Sequence, residues 1–136
     1  MNNATRNSQN ILLVDDDEMM LLVLTDFFEA RGYQVDAVNS PKEAVLAVRS
    51  KEYDVVISDL HFSTNDDPEG LGLVAELAKA SNSARVFVLS GDRNWEVAKD
   101  RRMKRIAAYI PKPIGLDALA CIIENSVNPD MSGGHE

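Results

Sequence analysis

The chain has a single cysteine, Cys121, so no internal disulfide can form and a disulfide scaffold is excluded. Cys121 falls on the apolar face of a predicted helix, where a packing role in a reducing cytoplasm is expected. Long apolar runs are also missing. No strictly apolar stretch exceeds the six residues of Met19–Leu24, far short of the roughly 18 that suggest a membrane span. Residues 1–9 are polar and Asn-rich rather than basic and then apolar, so no secretory signal is expected, only a loose tail. Positive charge is scarce: 14 Lys+Arg stand against 22 Asp+Glu, a net charge of −8 that disfavours binding of a nucleic-acid backbone by the chain as a whole. What remains, 136 residues with 45% hydrophobic and 26% charged, is the composition of one soluble globular domain.

The acidic excess is uneven. Residues 1–70 hold 14 acids and 5 bases, whereas residues 71–136 hold 8 acids and 9 bases. Carboxylates are concentrated in the first half.

Short Val/Ile-rich runs recur at Ile11–Val14, Gln34–Val38, Val55–Ser58, Val86–Leu89 and Ala107–Ile110, with helical patterns between them. Five βα units of an α/β fold follow. The first, third and fourth runs are continuously apolar, as central strands of a parallel sheet covered on both faces should be. A first helix is predicted over Met19–Arg31, with Met20, Leu24, Phe27 and Phe28 as its apolar stripe and Gly32 as its stop. A second begins at Ser40 as N-cap, Pro41 at the first helical position and Glu43 completing a capping box, and buries Ala44, Val45, Ala47 and Val48. Further helices are predicted over Leu71–Ala80, Asn94–Arg105 and Leu116–Val127, the last with Leu119, Ile122 and Ile123 inward. Residues 128–136 read as a frayed tail.

Ligands of open parallel sheets bind outside the carboxyl ends of the strands. There the sequence places Asp15, Asp16 and Asp17, then Asp59, then Ser90 and Gly91, and finally Lys112-Pro113. Clustered carboxylates raise one another's pKa unless a cation compensates. A hard divalent ion keeping several waters, such as Mg²⁺, suits them, and Lys112 neutralises more of the charge.

The strings Ile-Leu-Leu-Val-Asp-Asp at 11–16, Tyr-Asp-Val-Val-Ile-Ser-Asp at 53–59, Val-Leu-Ser-Gly at 88–91 and Tyr-Ile-Pro-Lys-Pro at 109–113 resemble the receiver domain of two-component response regulators. The resemblance covers about residues 10–127 and implies a doubly wound, flavodoxin-like, five-stranded parallel sheet. It implies that Asp59 is the phosphoacceptor, taking a phosphoryl group from the phosphohistidine of a sensor histidine kinase or phosphotransfer protein. Asp16 would bind Mg²⁺ (or Mn²⁺) directly, Asp59 would share it, Asp15 would assist through water, and the backbone carbonyl of His61 would be a further ligand. Ser90 would hydrogen-bond the phosphoryl group and Tyr109 would swing inward. The surface of the fourth helix, fifth strand and fifth helix would then change its partner preference. A bacterial, cytoplasmic signalling domain is implied, catalysing only its own phosphorylation and dephosphorylation. Its partners would be a kinase and a downstream output protein or tethered output domain, with a phosphorylation-dependent dimer as one association and no direct contact with nucleic acid or membrane. In the family the Lys112-Pro113 bond is cis, which an X–Pro bond permits.

Two segments depart from the family pattern. The stretch from Leu60 to Gly70 is longer than usual and carries Asp66, Asp67 and Glu69. Arg105 stands where a helix-ending glycine is usual, and a left-handed Arg would cost on the order of 1 kcal/mol unless the helix ends differently. His61 and Asp92 occupy positions that in the family tune phosphoaspartate lifetime. Residues 93–105 carry six bases and two acids, either a solvated face or a docking surface for an acidic partner.

Each candidate also has an ordinary reading. An aspartate run before a helix complements the helix dipole; Asp59 alone could be an N-cap, although it ends an apolar strand, Ser90 a turn residue, Lys112 a solvated lysine and Tyr109 a packed aromatic. Two rival functions remain: a pseudo-receiver acting as a phosphorylation-independent interaction module, and a haloacid dehalogenase-like phosphatase using Asp15 as nucleophile and Asp17 as general acid.

Overall fold

The structure, a computed structural model, describes residues 9–59, 76, 79–80, 84–90 and 106–127. Its elements in chain order are β1 (Asn10–Val14), α1 (Glu18–Ala30), β2 (Gln34–Val38), α2 (Pro41–Ser50), β3 (Val55–Asp59), β4 (Arg85–Ser90), β5 (Ile106–Pro111) and α3 (Leu116–Val127). The five strands form one parallel sheet in the order β2-β1-β3-β4-β5. Residues 76 and 79–80 are helical and belong to the expected third helix. The rest of that helix, the expected fourth helix and both tails apart from residue 9 lie outside the described residues.

Strand alternation sorts the central side chains into two cores. Ile11, Leu13, Val55, Ile57, Phe87 and Leu89 pack with α1 and α3. Leu12, Val14, Val56 and Val86 pack with Ala44 and Val45 of α2 and with Tyr53. Helices thus cover both faces, which suits the uninterrupted apolar runs Ile11–Val14 of β1 and Val55–Ile57 of β3. Complete burial of Phe28, Leu12 or Ile57 contributes about 1.5–3 kcal/mol each, so these layers dominate the stability of the sheet.

Local signals set the helix ends. Ser40 Oγ accepts the Glu43 N–H at 3.2 Å, with Pro41 at the first helical position. Gly32 closes α1 at φ 99°, a left-handed conformation that a side chain would strain.

Two expected faces are corrected. The buried stripe of α1 is Leu21, Leu24 and Phe28, with Phe27 packed alongside, whereas Met20 is 39% exposed. The uninterrupted apolar run Met19–Leu24 carries no phase information. The phase is set by the turn that ends β1, and Met19, Leu22 and Val23 are left exposed along with Met20. Cys121 is exposed rather than packed. Leu119, Ala120 and Ile123 form the inward arc of α3, with Leu116 and Ile122 against it, and Cys121 falls outside that arc although its neighbours are apolar.

Candidate functional site

Leaving β1, the chain adds β2 on one side and then β3 on the other, so the winding reverses between β1 and β3. The carboxyl ends at such a switch point form the ligand crevice of open α/β sheets. Val14 pairs with Ser58, so Asp15 and Asp59 each stand one residue past that pair on adjacent strands. Both side chains are buried, each 3% exposed. Asp59 pairs with Leu89 of β4, and Ser90 at the end of β4 pairs with Pro111 of β5, which brings Lys112 to the same edge.

Lys112 completes the geometry. Its Nζ donates to Asp59 Oδ2 at 2.6 Å, and its side chain is 29% exposed against 3% for Asp59. A charge-assisted contact of this length with a buried carboxylate is among the strong hydrogen bonds of proteins. The Lys112-Pro113 peptide bond is cis.

The three aspartates after β1 have separate positions. Asp15 is buried, its N–H donates to the Val38 carbonyl at 3.2 Å, and its Oδ1 accepts the Asp17 N–H at 2.9 Å. Asp16 is exposed on the turn. Asp17 is the N-cap of α1, its Oδ1 accepting the N–H groups of Met19 at 3.0 Å and Met20 at 3.3 Å. Of the three aspartates, Asp17 serves the helix directly, as its cap.

The structure therefore brings Asp59, Asp15 and Lys112 to one edge with Asp16 beside them. It sets the backbone of Ser90 at the end of β4 and that of Tyr109 within β5. His61, Gly91, Asp92 and the basic segment 93–105, Arg105 included, lie outside the described residues. Among the described residues no group of three or more His, Cys, Asp or Glu side chains is spaced to hold a metal ion by itself. Mg²⁺ does not need such a cage, since it keeps waters and uses one or two carboxylates plus phosphate oxygens. Buried Asp59 and Asp15 at neighbouring strand ends, with exposed Asp16 on the adjoining turn, offer carboxylates that fit that donor set.

Polar contacts away from this edge are not marked by any sequence motif. Tyr53 Oη donates to Asp36 Oδ2 at 2.7 Å, and Lys51 Nζ reaches the same oxygen at 3.0 Å. The Tyr53 hydrogen bond and then Lys51 hold the Asp36 carboxyl below its ordinary range, while burial and then Asp36 push the Tyr53 phenol up. Arg31 joins α1 to α3 through Glu124 at 3.1 Å. Burial, and then Glu124, raise the pKa of the adjacent Tyr33.

Comparison with known proteins decides the family. The model of the response regulator receiver domain matches residues 11–124. The chain belongs to that family. Among relatives of this receiver domain, the transcriptional regulatory protein GlrR of Escherichia coli (strain K12) is 29% identical over 118 residues, 87% of this chain and 26% of GlrR. The chain thus spans about a quarter of the length of the curated relatives it matches. A response regulator protein from Burkholderia pseudomallei, solved with a phosphorylated aspartic acid, calcium ion and citrate, superposes with a TM-score of 0.74 at 26% identity, covering 93% of this chain and 73% of that one. A CheY-like receiver domain protein from Methanospirillum hungatei JF-1 shares the fold at a TM-score of 0.80 and 20% identity, covering 93% of this chain and 98% of that one. No helix among the described residues is long and apolar enough to cross a membrane.

Proposed function

We propose that this receiver domain, residues 10–127, accepts a phosphoryl group on Asp59 from the phosphohistidine of a sensor histidine kinase or phosphotransfer protein, in a cytoplasm. The observation that carries the reading is the buried Asp59 carboxylate at the switch point, held by Lys112 at 2.6 Å. The phosphorylated aspartic acid of the Burkholderia pseudomallei relative supports it.

In the transfer, the donor's P–N bond breaks, its electron pair returns to the imidazole nitrogen, and a P–O bond forms to Asp59, giving an acyl phosphate. The transition state is loose and spreads charge over the equatorial oxygens, so the protein's task is position and positive charge. Lys112 supplies one such charge. Asp16 and Asp59 would hold Mg²⁺, or Mn²⁺, directly, with Asp15 through water and the His61 carbonyl as a further ligand; when bound, the ion neutralises charge on the phosphoryl oxygens. Ser90 takes a hydrogen bond with the phosphoryl group, Tyr109 turns inward, and the surface of the expected fourth helix, β5 and α3 changes its affinity for an output protein, a tethered output domain or a second copy.

The phosphatase reading loses its general acid, because Asp17 caps α1 with two backbone hydrogen bonds. An acyl phosphate is labile to hydroxylamine, so incubation with Mg²⁺ and a phosphohistidine donor should leave a hydroxylamine-sensitive label on the peptide containing Asp59. A hydroxylamine-stable label, or none, contradicts the reading, and complete inertness favours the pseudo-receiver.

A further inference from the structure

Ser58 precedes Asp59 and sits at the centre of the sheet, paired with Val14 on one side and Val88 on the other. It is 0% exposed, and its Oγ has no hydrogen-bond partner among the described residues. By strand alternation its side chain shares the face of Val56, in the layer that Leu12, Val14 and Val86 build with α2. A serine is a poor choice for such a layer. A buried hydroxyl without a partner carries a desolvation penalty that alanine does not, and packing alone would favour an apolar residue.

We propose that Ser58 is a positioning residue of the switch, whose hydroxyl gains a hydrogen-bond acceptor when the carboxyl end of β3 rearranges around phosphorylated Asp59. The inference rests on Asp59 being the phosphoacceptor. In the resting state this hydroxyl makes no hydrogen bond among the described residues, whereas the phosphorylated state supplies one, and this difference biases the two-state equilibrium toward the phosphorylated conformation. Being the neighbour of Asp59 on the same strand, Ser58 shares any movement of that strand end.

The test compares wild type with Ser58→Ala, with and without beryllofluoride, a stable phosphoryl mimic, in the presence of Mg²⁺. Without beryllofluoride, Ser58→Ala should melt at or above the wild-type temperature. With it, the wild type should gain more, and the variant's apparent affinity for beryllofluoride should be weaker by about fivefold. A purely structural hydroxyl would shift both states alike and leave that affinity unchanged, which would overturn the proposal. So would a lower melting temperature of Ser58→Ala without the mimic, since the hydroxyl would then already be satisfied. If the wild type itself shows no response to beryllofluoride and Mg²⁺, the phosphoacceptor reading falls and this inference with it; a normal wild-type response matched by Ser58→Ala overturns the inference alone.

Discussion

Lys112 lies 53 residues beyond Asp59 in the chain, yet its Nζ is 2.6 Å from Asp59 Oδ2. The β3–β4–β5 ladder makes this contact by aligning the strand ends. Removing a positive group aimed at a developing anionic transition state commonly slows the reaction by two to three orders of magnitude. Lys112→Ala should therefore be labelled by acetyl phosphate on the order of 10²-fold more slowly than wild type at saturating Mg²⁺. Stopped-flow fluorescence or quenched mass spectrometry measures this, and an unchanged rate would remove Lys112 from the mechanism.

Asp17 offers the opposite expectation. Serine caps a helix about as well as aspartate, so Asp17→Ser should keep both stability and labelling, whereas Asp17→Ala should lose about 1 kcal/mol of stability. Chemical denaturation and acetyl phosphate labelling separate the two effects. Loss of labelling in Asp17→Ser would give Asp17 a chemical role that its hydrogen bonds do not suggest.

The Asp36–Tyr53 pair predicts a pH dependence with two limbs. The Asp36 pKa is depressed, so its contribution is complete above about pH 4 and lost as pH falls through the folded value. The Tyr53 pKa is raised above the ordinary 10.0, so its contribution is complete below that pH and lost as pH rises further. Tyr53→Phe should cost about 1 kcal/mol at neutral pH and flatten both limbs of a urea-midpoint profile. Equal slopes in wild type and variant would count against the pair.

Magnitudes also separate the contacts of α1. Arg31 and Glu124 are each 38% exposed, so Arg31→Ala should cost at most about 1 kcal/mol, and less at high salt. Phe28 is 0% exposed at the heart of the larger core, and Phe28→Ala should cost about 3–5 kcal/mol. Urea denaturation at two ionic strengths checks both, and comparable losses would mean that the helix is held by the ion pair rather than by packing.

Strand and cap positions were legible because they are local. The Val/Ile runs located all five strands to within a residue at each end, Ser40-Pro41 fixed the start of α2, and Gly32 marked the end of α1. The placement of Asp15, Asp59 and Lys112 was legible for the same reason, since each lies at or just past the end of a run that a parallel sheet aligns. Helix rotation was not: Met20 and Cys121 sit in apolar runs where hydrophobicity does not choose a face. Contacts between distant residues, such as Tyr53 with Asp36 and Arg31 with Glu124, leave no periodic trace. Nor did the three consecutive aspartates disclose which would turn inward, which outward and which would cap the helix.

Phosphorylation of Asp59 underlies every step of the proposed switch, and intact-mass measurement of wild type and Asp59→Asn after incubation with acetyl phosphate, each with Mg²⁺ and with EDTA, tests it. One added phosphoryl group is expected in the wild type with Mg²⁺, little with EDTA, and none in Asp59→Asn under either condition. Equal labelling of Asp59→Asn, or no labelling of the wild type with Mg²⁺, would contradict it.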